Sequence, residues 1–264
     1  MQQAAEQSTS RSDPSGEAWV VDLDGVIWLA GEPISGSALA VARLRQRGVR
    51  IVFATNNAAP TVADLVSRLR RAGLEAQPGD VVTSAQAAAS LLAPGSRVFP
   101  CAEGGVVAAL TERGISVVDD GPCDAVVVGL TRRFDFDLLH RAATLVRQGA
   151  RFIGTNEDAT YPTPDGLLPG AGALLAAVAT AAEATAEVAG KPHQPMADLI
   201  RHRVPHVSLV VGDRPSTDGA LARRLGVPFA LVRSGVTGDG GEPLAVRPDH
   251  DAPDLGALVT RIVP

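Results

Sequence analysis

Short apolar runs along this chain break off at polar residues, and longer stretches with apolar positions three or four apart follow them. Ala18-Trp19-Val20-Val21 stops at Asp22, and Arg50-Ile51-Val52-Phe53-Ala54 stops at Thr55-Asn56-Asn57. Between them, Ala38 to Gly48 has helical spacing and closes on a glycine suited to a left-handed cap. A second helix is predicted over Thr61 to Ala72, where Thr61 and Asp64 can satisfy the free N–H groups of the first turn and Gly73 can end it. Such alternation predicts strand and helix units wound into a largely parallel sheet, an α/β fold.

The pattern begins again near Thr83, with strands expected at Arg97 to Phe99, Ile115 to Val118, Ala125 to Val128 and Arg151 to Ile153. The Ala-rich run Ala171 to Ala189 carries Leu174, Leu175 and Val178 at helical spacing and is read as a packing helix. Then come Gly190-Lys191-Pro192, a helical stretch around Met196 to His202, and the apolar run Val207 to Val211 leading into Gly212-Asp213, which resumes the first rhythm. The economical organisation is a core made of residues 17–82 and 183–264, with a smaller α/β unit, 83–182, inserted between its halves. Residues 1–16, rich in Gln, Ser, Ala and charge, are expected to be a disordered leader.

A chain of 264 residues is long enough for two such units. Although 45% of it is hydrophobic, no apolar run approaches the roughly 18 residues of a membrane span. The net charge of −5 offers no basic footprint for nucleic acid, which favours a small-molecule partner. Two cysteines, Cys101 and Cys123, form neither a disulfide framework nor a zinc spacing, and no secretory signal opens the chain. A cytoplasmic setting fits those features.

Ligands of open parallel sheets bind beyond the carboxyl ends of the strands, where three apolar runs deliver Asp22, Thr55 and Asp213. In Asp22-Leu23-Asp24-Gly25 two carboxylates lie two positions apart and a glycine can turn the backbone sharply. Ionised Asp22 can attack phosphorus and form an aspartyl phosphate. Asp24 can protonate the departing alkoxide and later deprotonate water, a role that requires a pKa raised relative to that of Asp22. Two anions facing a phosphate require a hard cation with oxygen ligands, so Mg2+ is expected, held by Asp22, the backbone carbonyl of Asp24 and Asp213. Asp218 can support the metal waters or Lys191, whose ammonium can neutralise the phosphoryl group. The Thr55 hydroxyl and the Asn56 backbone N–H can bind phosphoryl oxygens.

In identity and order, Asp22-Leu23-Asp24-Gly25, Thr55-Asn56-Asn57, Gly190-Lys191-Pro192 and Gly212-Asp213 to Asp218 resemble the motifs of the haloacid dehalogenase superfamily of phosphatases. The resemblance spans about residues 17 to 250. The Thr-Asn-Asn motif, the long insertion after it, Gly154-Thr155-Asn156 and Gly166-Leu167-Leu168-Pro169-Gly170 are similar to its class IIA, nitrophenylphosphatase-like branch. That resemblance implies a doubly wound, Rossmann-like core with an inserted α/β cap. It also implies Asp22 as nucleophile, Asp24 as acid and base, Thr55 and Lys191 as phosphate ligands, Asp213 as metal ligand, and is compatible with a homodimer formed through the cap. Asn57, Asn156 and Asp158 are candidates for substrate selection, because cap loops close over a core-bound phosphate. One departure is Pro215 and Gly219, where such proteins commonly have a non-proline residue and a bulky apolar one.

Each feature alone has a plainer reading. An isolated Asp-x-Asp-Gly often only caps a turn, and a lone lysine is usually a solvated charge. The five histidines show no ligand spacing; His193 is read as an exposed helix-start residue, and Cys101 as part of an ordinary strand-to-helix turn. A receiver domain also uses a strand-end aspartate, but it is much shorter and has no use for Asp24. Phosphate release from a sugar phosphate, glycerol phosphate, phosphoglycolate or nucleotide monophosphate is expected. Transfer to a specific acceptor and catalytically silent binding are the alternatives.

Overall fold

The computed structural model describes residues 16–163, 166–237 and 246–263. The leader expected over 1–16 lies, apart from Gly16, outside them. Strand β1 (Ala18–Val21) is buried throughout, as four consecutive apolar residues require. A tight turn leads to a short hairpin, β2 (Trp28–Leu29) and β3 (Glu32–Pro33), and then α1 (Ser37–Gln46) crosses to β4 (Arg50–Thr55). In α2 (Val62–Arg71) the expected reciprocal cap forms: the Asp64 N–H donates to the Thr61 hydroxyl at 3.1 Å and the Thr61 N–H donates to the Asp64 carboxylate at 3.0 Å. Strand β5 (Val81–Thr83) and helix α3 (Ser84–Ser90) close this half.

The second unit runs β6 (Arg97–Cys101), α4 (Gly104–Glu112), β7 (Ser116–Val117), β8 (Ala125–Val128), α5 (Phe136–Arg147) and β9 (Arg151–Gly154). An antiparallel hairpin follows, β10 (Thr160–Thr163) with β11 (Gly166–Pro169), then α6 (Ala171–Ala182) and β12 (Glu187–Val188). Its sheet is parallel, in the order β12-β9-β8-β6-β7. The Ala-rich run is therefore not one helix as far as Ala189. It ends at Ala182, with Glu183 in the left-handed region at φ 53°, and Glu187–Val188 pairs with Ile153–Gly154. The edge of β9 offers backbone groups that only an extended segment can satisfy, so this sheet reaches past residue 182.

The chain returns through α7 (Gln194–Arg203), β13 (Val207–Gly212), α8 (Ala220–Leu225), β14 (Phe229–Val232), β15 (His250–Ala252) and α9 (Leu255–Ile262). The first sheet is parallel, ordered β15-β14-β13-β1-β4-β5. Strand order thus reverses beside β1, the position at which open α/β sheets form a crevice. Helices α1, α2 and α9 cover one face through Leu44, Leu65, Leu69 and Leu258. On the other face, Val20, Val52 and Val210 join one apolar cluster with Val98, Val127 and Ile153 of the second sheet. Helix α3 lies in that cluster, and its Ala85, Ala87, Ala88 and Ala89 let the two layers approach closely. Among the described residues, no helix is long and apolar enough to cross a membrane.

Candidate active site

Three adjacent strands supply the first groups. Asp22 follows β1, Thr55 ends β4 and Asp213 follows β13, so the order β13-β1-β4 places Asp22 between the other two. The loop after Asp22 folds back at Gly25, φ 84°, where a Cβ would come within 2.3 Å of Asp213 Oδ2. A Cβ at Gly235 would approach the same oxygen to 1.9 Å, so two glycines leave room for the Asp213 carboxylate. The Val236 N–H then donates to Asp213 Oδ2 at 2.7 Å.

Lys191, 4% exposed, anchors the centre. Its ammonium contacts Asp22 Oδ1 at 2.7 Å and Asp218 Oδ1 at 2.7 Å, and donates to the Ala54 carbonyl at 3.0 Å, which uses all three of its hydrogens. Burial alone would lower its pKa, but Asp218 and Asp22 outweigh burial and hold it above the usual lysine value. The Arg214 backbone N–H donates to the second oxygen of Asp218 at 3.2 Å, so Asp218 spans Lys191 and the loop after Asp213.

Oxygens of Asp22, Asp213 and Asp218 gather within 4.8 Å of one another. Burial raises Asp22 well above the carboxylate range against the pull of Lys191, and Asp218, Asp213 and Asp24 add to the rise; Asp213 is pushed up to about 6 by burial and Asp218. Asp24 is also raised by burial, but the Trp28 N–H and the charge of Arg68 oppose the rise. Burial thus raises both Asp22 and Asp24, and the facing carboxylates of Asp218, Asp213 and Asp24 add to the rise at Asp22. Such a donor set fits a hard divalent cation, with Asp22 and Asp213 supplying carboxylate oxygens and Asp24 its carbonyl; added positive charge there lowers the pKa values of Asp22 and Asp213. The Asp24 side chain is not in that cluster; its Oδ1 accepts from Trp28 Nε1 at 2.9 Å.

Thr55 Oγ1 accepts from the Asn57 N–H at 3.0 Å, and the hydroxyl hydrogen remains available to donate. The Asn56 side chain is fully engaged: Oδ1 accepts from the Lys191 N–H at 2.7 Å, while Nδ2 donates to the Lys191 carbonyl and to Asp158 Oδ2, both at 3.1 Å. Among the described residues its backbone N–H has no hydrogen-bond partner, and this is the group the sequence assigns to phosphate. A cavity lined by Asp22, Asp24, Thr55, Asn56, Asn57, Asn156, Asp158, Lys191 and Asp213 brings together every predicted site residue except Asp218, which is buried beside Lys191.

From the second unit, Asn156 Nδ2 donates to the Asn56 carbonyl at 2.7 Å and its Oδ1 accepts from the Asp158 N–H at 3.1 Å, so one end ties the two units together and the other shapes its own loop. Asp158 also pairs with Arg214 at 3.2 Å, and Glu157 with His193 at 2.8 Å. His193 is thus a link between the units. Cys101 is buried at the end of β6, with its thiol pushed up to about 12 by burial, consistent with a packing role. Sequence reasoning passed over Trp28, Arg214, Thr160 and Tyr161, of which the last three line the cavity. No short spacing marks them, since they enter through tertiary contacts. The Pro215–Gly219 turn has its own logic: a Cβ at Gly219 would lie 2.9 Å from Val246 Cβ and 3.1 Å from the Phe229 ring, so the bulky residue expected there has no room.

Residues 19–116 match a family described as haloacid dehalogenase-like hydrolase, and residues 188–258 match a HAD-hydrolase-like family. The D-glycerol 3-phosphate phosphatase of Mycobacterium tuberculosis is 37% identical over 251 residues, 90% of this chain and 70% of the relative. An acid sugar phosphatase of Staphylococcus epidermidis is 30% identical over 254 residues, 93% of this chain and 98% of the relative. Among solved structures, the p-nitrophenyl phosphatase of Archaeoglobus fulgidus superposes with a TM-score of 0.87 at 29% identity, covering 93% and 98% of the two chains. The glycerol phosphate phosphatase of M. tuberculosis in complex with magnesium gives 0.83 at 35% identity over 91% of this chain and 75% of that one. With two relatives at this identity aligned along most of its length, the chain belongs to the haloacid dehalogenase-like hydrolases, in the class IIA, NagD-type branch of phosphatases.

Proposed function

We propose that this protein hydrolyses small polyol phosphates, glycerol or sugar phosphate monoesters, through a phosphoryl group carried transiently on Asp22. One observation carries the reading: a buried carboxylate at the switch point of the sheet lies 2.7 Å from a buried lysine that Asp218 holds on its far side. A carboxylate so placed can attack once Lys191 and a bound cation hold it ionised. The substrate class is supported by the relatives, one a glycerol 3-phosphate phosphatase and one a sugar phosphatase, and by the polar second wall of the cavity, with Asp158, Thr160 and Tyr161.

Asp22, the Asp24 carbonyl and Asp213 would hold magnesium, which supplies the positive charge that lets an anionic nucleophile face an anionic ester. The Thr55 hydroxyl and Asn56 N–H bind the phosphoryl oxygens. Asp22 forms the bond to phosphorus while Asp24 gives its proton to the leaving oxygen; Asp24 then takes a proton from the water that releases phosphate. The second sheet and the β10–β11 hairpin act as a cap, closing the Asn156 to Asp158 loop over the ester and limiting access of bulk water.

Phosphate release from a panel of glycerol, sugar, nucleotide and carboxylated phosphate esters tests the reading, with and without magnesium, beside Asp22→Asn. Metal-dependent release that favours polyol esters and vanishes in the variant is expected. Full activity in Asp22→Asn would remove the covalent step, and preference for a carboxylated or nucleotide ester would remove the substrate class.

A further inference from the structure

The acid–base carboxyl has a partner that the motifs do not name. Trp28 begins the hairpin after the Asp22–Gly25 turn, and its ring is 2% exposed. The loop folds it back onto Asp24: the Trp28 N–H donates to the Leu23 carbonyl at 3.2 Å, and the Gly25 N–H donates to the Trp28 carbonyl at 2.7 Å. Its indole Nε1 then donates to Asp24 Oδ1 at 2.9 Å. From α2, the Arg68 guanidinium covers the ring face 4.6 Å from its centroid, so the ring is held from a second side.

An indole N–H only donates, and a carboxylic acid has one oxygen that accepts freely and one that bears hydrogen. With the N–H on Oδ1, the hydroxyl form of the acid belongs on Oδ2. Asp24 itself lines the cavity beside Asp22, whereas Trp28 is not among the cavity-lining residues, so the indole fixes the carboxyl from outside the cavity. We propose that Trp28 is a positioning residue for proton transfer, occupying Oδ1 so that Oδ2 is the oxygen that gives the proton to the leaving group and later takes one from water. The proposal rests on the reading of Asp24 as the acid. As Asp22 forms its bond to phosphorus, the bond to the ester oxygen breaks, the Oδ2 proton moves to that oxygen, and a neutral alcohol departs and leaves Asp24 ionised. Hydrolysis of the aspartyl phosphate returns the proton from water to Oδ2.

Leaving-group dependence tests the assignment. An alkyl ester needs the proton because its alkoxide is a poor leaving group, whereas p-nitrophenolate departs with little help. For Trp28→Phe, the ratio of kcat/KM on glycerol phosphate to kcat/KM on p-nitrophenyl phosphate, which reports the step that expels the leaving group, is expected to fall about tenfold, a fraction of the roughly 100-fold or more that a general acid contributes. Asp24→Asn, measured in parallel, is expected to lower the same ratio further. Benzothienylalanine at position 28 keeps the ring shape without the N–H, and is expected to lower the ratio as Phe does even if Trp28→Phe folds poorly. An equal fall on both esters, or no fall in the ratio for either variant at position 28, would overturn the positioning role while Asp24→Asn still shows its selective loss. If Asp24→Asn lost both esters equally, the acid assignment itself would fail.

Discussion

The two walls of the cavity are built differently. On one wall, Asp22 and Asp213 follow neighbouring strands of the first sheet, Lys191 and Asp218 reach them from adjoining segments, and all four are buried, each charge facing another. On the opposite wall, Asn156, Asp158 and Tyr161 come from a loop and a hairpin, and the Asp158–Arg214 pair keeps 23% and 27% of its side-chain surface in solvent. Charges in a dry setting act strongly and cost much to leave unpaired, while half-wet ones are screened. On the proposed function, the first wall would carry the chemistry and the second, drawn from a loop and a hairpin, would select the substrate.

Replacing the nucleophile tests the first wall most severely. Asp22→Asn keeps the shape but removes the attacking charge, and turnover is expected to fall by about 10³-fold or more in a phosphate-release assay. A loss of only a few-fold would mean that the buried wall is not where the bond is made. Lys191→Met comes next. It leaves Asp22 and Asp218 facing each other in a buried site, and breaking such a pair costs about 3–5 kcal/mol. Chemical denaturation should show that destabilisation, together with lost activity; an unchanged midpoint would show that the pair is not held in low dielectric.

This contrast also explains what the sequence disclosed. Asp22, Thr55 and Asp213 were legible because a buried strand writes itself as an apolar run and its last residue is the one delivered to the sheet edge. The reciprocal cap at Thr61 and Asp64 was legible for the same local reason. Trp28 and Arg214 were not, since what they touch depends on how a hairpin and a loop fold back in space. Alanine-rich composition favours helix, yet Glu187–Val188 became a strand because the edge of β9 needed backbone partners. Of the second wall the sequence marked Asn156 and Asp158 but not Thr160, Tyr161 or the Asp158–Arg214 pair, because those enter through tertiary contacts.

A subtler test concerns the sign of a charge effect. Asp213 has an ordinary value of 3.8 but is raised to about 6 in the folded, metal-free protein. The folded state therefore holds this proton where the unfolded chain has lost it. The resulting contribution to stability is fully present below about 3.8 and is lost as pH rises through about 6. Asp213→Asn keeps an oxygen for the Val236 N–H and removes the ionisation. In the presence of a chelator, the variant is expected to melt above the wild type at neutral pH, by a shift worth on the order of 1–3 kcal/mol, with the gap closing toward pH 4. Added magnesium should reverse the ranking by stabilising only the wild type. A variant that melts below the wild type without metal would show that the acidic cluster is not under strain.

The smallest effect is expected on the second wall. Asp158 engages Arg214 through one oxygen and Asn56 through the other, so it joins the second unit to the loop of Asp213 and to the residue that grips Lys191. Asp158→Asn keeps an amide oxygen for one of these partners but removes the ion pair. Because that pair is about a quarter exposed, solvent limits its worth to roughly 1 kcal/mol or less, a factor of about five in kcat/KM. A double-mutant cycle with Arg214→Gln measures the coupling directly. Coupling below about 1 kcal/mol, with the loss shared among glycerol, sugar and nucleotide esters, fits a latch between the units. Coupling above about 2 kcal/mol would mean that this wall is as dry as the other, and a loss confined to one ester would make Asp158 a reader of the substrate rather than a link between the two halves.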